Sequence, residues 1–260
     1  MEELRGKNAW VGGGSKGIGK ATAIALAQMG ANVTIAARSE DALKSAIEEL
    51  PATGDQEHHW LSVDYSKPQA LKASARHWLE KRNAHILINN TGGPPGGPIV
   101  DADPEAFIKA FNNHLICNHL LAQLMAPGMA ADHYGRIVNI ISTSVKQPLN
   151  GLGVSNTVRG AVANWSKTMA NELGPEGITV NNVLPGATNT GRLKSIIANK
   201  AEKQNSSTKT VEENMKQGIP LRRFADPGEV AAAVAFLCSP KAAYISGINL
   251  PVDGGRTKSL

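Results

Sequence analysis

Apolar residues in this chain gather into short runs that alternate with longer amphipathic stretches along the whole sequence. The run Ala9 to Val11 opens the series, and further runs at 32–37, 58–63, 85–89, 136–141, 178–183 and 248–252 read as strands. Between them, apolar positions recur at helical spacing over 17–29, 39–50, 67–81, 103 to about 129, 153–173 and 227–238. A polar helical insert fills 188–217. Continuous apolar runs fit strands covered on both faces, and the helical stretches are what cover them. The alternation predicts an α/β fold with a parallel sheet, in a single domain spanning 1–260. Two helix starts carry their own chemistry. Asp226-Pro227-Gly228-Glu229 supplies an N-cap, a proline at the first helical position and a capping-box glutamate, and Asp103-Pro104-Glu105 is similar.

Composition narrows the picture. With 260 residues and 42% hydrophobic content the chain can bury a large core. Cys117 and Cys238 lie far apart in apolar helical patterns, as expected of buried free thiols in a reducing cytoplasm, and no metal-ligand spacing occurs. Met1 to Lys7 has no apolar signal region, and no stretch is long and apolar enough to span a bilayer. A cytoplasmic location without a membrane partner is therefore expected. The net charge of +5 suits phosphate-bearing ligands. Nucleic acid is not an expected partner, because no basic stripe with interleaved aromatics is present.

Candidate chemistry begins at Val11-Gly12-Gly13-Gly14-Ser15-Lys16-Gly17-Ile18-Gly19, between the first strand and the first helix. Gly13, Gly17 and Gly19 let the backbone turn sharply and come close to a ligand, with Ser15, Lys16 and Ile18 in the same turn. The helix N-terminus then offers free N–H groups and a positive dipole end to an anion. A dinucleotide pyrophosphate is the expected anion where such a turn opens a βαβ unit. Where an acid would take the adenosine ribose hydroxyls of NAD, this chain has Arg38 followed by Ser39. Lys16, Arg38 and the Ser39 hydroxyl suit a 2′-phosphate, which predicts NADP(H). A solvated strand-end charge is the alternative reading of Arg38.

Further short motifs follow in order. They are Asp64 after the third strand, Asn89-Asn90-Thr91-Gly92 after the fourth, and Gly135-Arg136-Ile137-Val138-Asn139-Ile140 leading to Ser142. Then come Asn181-Asn182-Val183-Leu184-Pro185-Gly186, Pro220-Leu221-Arg222-Arg223-Phe224, and Gly247 with Val252-Asp253-Gly254-Gly255. With the glycine turn, these residues resemble the short-chain dehydrogenase/reductase family over nearly the whole chain, in the pattern of its 3-oxoacyl-(acyl-carrier-protein) reductase type. The resemblance implies a doubly wound Rossmann fold whose seven-stranded parallel sheet runs 3-2-1-4-5-6-7, with helices on both faces. It implies that Asp64 accepts from the adenine amino group with the Tyr65 N–H beside it, and that Asn90 and Gly92 lie under the adenosine ribose. Pro185, Gly186, Thr188 and Thr190 would hold the nicotinamide carboxamide. A strand-ending turn is the plainer reading of Asn89-Asn90. The resemblance also implies a homo-oligomer, tetramer or dimer, built on the two long central helices and the last strand. Leu115, Ile116, Leu120, Leu121 and Leu124 make the first of those helices apolar on more than one face.

The chain departs from the family at the chemistry. The family has a tyrosine thirteen residues beyond the catalytic serine, here Ser142, and a lysine one helical turn later. This chain has Ser155 and Arg159 there, and His114 where the family has an asparagine. An aliphatic hydroxyl is a far weaker acid than a phenol. Arg159 stays charged and can grip ribose hydroxyls, or orient a carbonyl or carboxylate of the substrate, through its planar fork. His114, with an ordinary pKa near 6.5, is a candidate proton donor acting through a water or Ser155; a packed core histidine is the alternative. Thr91 to Pro98 forms either a stiff wall at the site or a rigid surface turn. The insert at 188–217 stands in the family's substrate-lid position. Its Arg192, Lys194, Lys200, Lys203, Lys209 and Lys216 face either an acidic substrate or carrier, or solvent. The leading expectation is an NADP-dependent oxidoreductase moving hydride between nicotinamide and a small carbonyl or alcohol, with Ser142, Ser155, Arg159 and His114 as its catalytic set. A nucleotide-binding sensor or partner protein that has lost catalysis is the alternative.

Overall fold

The computed structural model describes residues 3–259. Seven strands are β1 (Asn8–Gly12), β2 (Asn32–Ala37), β3 (His59–Ser62), β4 (Ile86–Asn89), β5 (Gly135–Ile140), β6 (Ile178–Pro185) and β7 (Asn249–Val252). They form one parallel sheet in the order β3-β2-β1-β4-β5-β6-β7. The helices are α1 (Gly17–Gln28), α2 (Glu40–Ile47), α3 (Pro68–Leu79), α4 (Pro104–Phe111), α5 (Cys117–Ala131), α6 (Gly153–Leu173), α7 (Gly191–Lys203), α8 (Thr208–Gln217) and α9 (Pro227–Cys238). Among the described residues, no helix is long and apolar enough to cross a membrane.

Alternate strand residues feed two separate cores, as the two-residue period of a strand requires. Ala9, Val11, Ile86, Ile88, Val138 and Ile140 pack with Leu26 of α1, Leu43 of α2 and Val234 of α9. Their neighbours Trp10, Leu87 and Ile137 point the other way, onto Leu71 and Trp78 of α3, Leu121 and Met125 of α5 and Ala170 of α6. That two-sided cover is why neighbouring strand positions are so often both apolar.

Three elements differ from the pattern-based expectation. The helix expected over 39–50 ends at Ile47, because Leu50 precedes Pro51 and the residue before a proline is driven out of the helical region. The stretch expected as one helix from 103 contains a π-turn at Asn112–Ile116, between α4 and α5. The polar insert folds as the pair α7 and α8, held by Leu193, Ile197, Ala201 and Val211.

One row of asparagines crosses half of the sheet. Asn89, Asn139, Asn182 and Asn249 are direct register partners on β4, β5, β6 and β7. Asn89 Nδ2 donates to Asn139 Oδ1 (2.8 Å), Asn139 Nδ2 to Asn182 Oδ1 (3.0 Å), and Asn182 Nδ2 to Asn249 Oδ1 (2.9 Å). Ser166 of α6 closes the network, accepting from Asn139 Nδ2 at 2.9 Å and donating to Asn182 Oδ1 at 2.8 Å. Stranding these buried amides costs about 1–3 kcal/mol per unsatisfied group. Asn139→Ala is therefore expected to lower unfolding free energy by about 3 kcal/mol in urea titration; a change below about 0.5 kcal/mol would show that the ladder carries no weight.

Candidate active site

The candidate site residues outside the helices and the π-turn lie at or just past the carboxyl end of a strand, where open α/β sheets bind ligands. β1 and β4 are neighbours, so the order reverses between them, and the glycine turn sits at that reversal. Gly13 and Gly17 have φ of +58° and +54°, which side-chain-bearing residues rarely adopt. A Cβ on Gly13 would stand 2.7 Å from Asn90 Nδ2, and one on Gly19 would collide with the Gly13 carbonyl. Asn90 Nδ2 donates to the Gly12 carbonyl at 3.1 Å, so its side chain braces the turn. α1 then opens with no side-chain cap, leaving its first N–H groups to meet a ligand.

At the far side of this turn Lys16 and Arg38 are both exposed, and neither makes an ion pair among the described residues. Ser39 caps α2, accepting from Ala42 N at 3.4 Å. Asp64 accepts from Ser66 N at 2.9 Å, and that backbone bond, with Arg38 nearby, holds its carboxyl below the ordinary range. The Tyr65 ring is buried away from the cleft, its hydroxyl accepting from Trp10 Nε1 at 3.2 Å. A Cβ on Gly92 meets no protein atom within 4 Å, so the space over that residue is open to a ligand. Past β6, Thr188 donates to Gly186 O at 3.2 Å, while Thr190 caps α7 and lays its methyl against Gly17. Pro185 ends β6.

The four candidate catalytic residues come from three elements. Ser142 leaves β5 and accepts from Ser144 N at 3.1 Å. Ser155, Arg159, Val162 and Ser166 line the buried face of α6, at the helical intervals of four, three and four residues. Arg159 Nε donates to Ser155 Oγ at 3.2 Å, and its Nη1 donates to the Ile140 carbonyl at 3.2 Å, two residues before Ser142. His114 is buried in the π-turn, a kind of bulge that recurs at functional sites. Its Nδ1 lies 2.6 Å from Thr91 Oγ1.

Two contacts were not visible in the sequence. One is this Thr91–His114 pair. The other is Arg192 of α7, whose Nη2 donates to Pro94 O at 2.8 Å and ties the insert to the Pro-Gly loop. That loop is in turn pinned beside the start of α6, Gly97 N donating to Gly151 O at 2.8 Å. Neither partner pair shares a motif; only the loop paths bring them together.

Electrostatics decide the state of His114. Burial, and then the Arg159 charge, hold its pKa down at about 3 against an ordinary 6.5, so the ring is neutral at neutral pH. A neutral ring of this kind can take a proton at one nitrogen while releasing one at the other, so it serves as a relay. The unfolded chain binds a proton that the folded chain does not between pH 6.5 and 3. This group therefore leaves stability intact above pH 6.5 and erodes it as pH falls towards 3. His114→Gln should flatten that acid limb by up to about 1.4 kcal/mol per pH unit in urea unfolding at stepped pH, and equal slopes would rule out a neutral buried ring.

Known proteins share this fold. A family model described as enoyl-(acyl carrier protein) reductase matches residues 13–257. A 7alpha-hydroxysteroid dehydrogenase of Escherichia coli is 34% identical over 99% of this chain and 96% of its own length. A 3-oxoacyl-(acyl-carrier-protein) reductase of Vibrio cholerae is 32% identical over 97% of this chain and 98% of its own. Among solved structures, the L-sorbose reductase of Gluconobacter frateurii, complexed with NADPH and L-sorbose, superposes with a TM-score of 0.93 at 30% identity, covering all of both chains. The chain belongs to the short-chain dehydrogenase/reductase family.

Proposed function

We propose that this chain is an NADP(H)-dependent oxidoreductase acting on a small carbonyl or alcohol through a site with no phenol in it. The observation that carries this reading is the cradle itself. Glycines at 13, 17 and 19 lie where side chains do not fit, an uncapped helix end faces the same space, and Lys16 and Arg38 stand beside it with no ion pair among the described residues. NADPH-bound relatives on the same fold support it. Bound there, the nicotinamide supplies or accepts the hydride. Lys16, Arg38 and Ser39 would take the 2′-phosphate, Asp64 and the Tyr65 N–H the adenine, and Asn90 and Gly92 the adenosine ribose. Pro185, Gly186, Thr188 and Thr190 would hold the carboxamide.

The chain's own residues then handle the carbonyl oxygen. Ser142 and Ser155 offer hydroxyl donors that polarise it, and Arg159 Nε, bound to Ser155 Oγ, orients the second of them. The neutral His114 ring shares a proton with Thr91 Oγ1 and can pass one onward. One observation favours a second reading, nucleotide binding without turnover. All three tyrosines lie elsewhere: Tyr65 is bound to Trp10, Tyr134 donates to Cys238 O, and Tyr244 is fully exposed.

Loading the protein with NADPH and screening carbonyl compounds for loss of the reduced-nicotinamide absorbance separates the two. Turnover that falls at least about tenfold in Ser142→Ala is expected; tight NADPH binding with no turnover of any carbonyl establishes the second reading instead. Arg38→Asp should weaken NADPH by about ten- to a hundredfold with little change for NADH, read by fluorescence titration. Equal losses for both nucleotides would overturn the 2′-phosphate assignment.

A further inference from the structure

Arg159 is the buried charge of the cleft, 8% exposed, and both of its hydrogen-bond partners, Ser155 Oγ and Ile140 O, are neutral. Arg192 reaches the same place from α7. The point where a Cβ on Gly93 would stand lies 3.4 Å from Arg159 Nη2 and 3.9 Å from Arg192 Nη2. Two guanidinium groups thus converge above Gly93 and Pro94, and no carboxylate pairs with either among the described residues. Burial and the Arg192 charge already pull the Arg159 pKa down to about 10.

A buried cation without a counter-ion is expensive, and bringing a second cation up to it raises that cost. An anion placed between the two removes both penalties. The planar forks of arginine match the two oxygens of a carboxylate. The spot also adjoins the reacting groups. Arg159 is anchored two residues before Ser142, its charge is felt by His114, and Pro94 follows closely on Thr91.

We infer that Arg159 and Arg192 together seat a substrate carboxylate, so that the compound handled at this site is an oxo acid or the matching hydroxy acid. The inference rests on the oxidoreductase reading for its reaction, but not for its binding. One competing anion is the cofactor's own phosphate, since Thr190, two residues before Arg192, touches Gly17.

Titration calorimetry on protein saturated with NADP+ tests this, using pyruvate, acetoacetate and levulinate, each against its methyl ester. At least one acid should bind about ten- to a hundredfold more tightly than its ester, the worth of a charge-assisted hydrogen bond. Arg192 is exposed at the start of α7, so Arg192→Gln keeps the fold, and it should cut that preference about tenfold. The inference is overturned if no acid outbinds its ester, or if the preference survives in both Arg192→Gln and Arg159→Gln. It is equally overturned if the preference appears only in cofactor-free protein, where the arginines would be serving the cofactor's phosphates. An acid preference without NADPH oxidation by any carbonyl would sustain the carboxylate seat and remove the oxidoreductase reading. Equal turnover of acids and esters would do the reverse.

Discussion

The asparagine ladder through β4 to β7 is the constraint on which the site depends. A sheet made of apolar runs has few features to fix how its strands align, and slipping one strand by a residue would exchange its two faces. Four amides in one row remove that freedom, because any slip strands buried hydrogen-bonding groups. Through Ser166 the same row fixes α6 against the sheet. Arg159 and Ser155 lie two and three helical turns away on the same face, so the ladder sets how deep they reach into the cleft.

The cleft that results has cations at both ends. They are Arg159 and Arg192 at one end and Lys16 and Arg38 at the other, with the free N–H groups of α1 between. Asp64 stands beyond the strand neighbouring Arg38, engaged with Ser66. Such a surface favours anions in two separate places, one per end. His114 sits against the first of them, and that neighbour is part of why it stays neutral.

Much of this was legible in the chain. The alternation of apolar runs and amphipathic stretches marked all seven strands, because both sheet faces are covered and apolar residues stand at neighbouring positions in the strands. The glycine turn was readable because backbone at positive φ selects glycine directly. Ser155 and Arg159 were readable as a pair because helical spacing alone places them together. Thr91 with His114 and Arg192 with Pro94 were not, since the partners lie 23 and 98 residues apart and meet only through the course of the loop that follows β4. Each ladder asparagine could be seen within its motif, but their shared row comes from strand register, which no single strand encodes.

The π-turn at Asn112–Ile116 has a consequence beyond placing His114. A turn that holds an extra residue rotates everything after it by about a quarter of a circle relative to an unbroken α-helix. The apolar stripe of α4, with Ala110 against Val154 and Val158 of α6, and that of α5, which lies on the sheet, are therefore out of phase with each other. One continuous rod serves two partners lying in different directions. Deleting a single residue here would bring the stripes into phase, and one of the two contacts would then have to be given up.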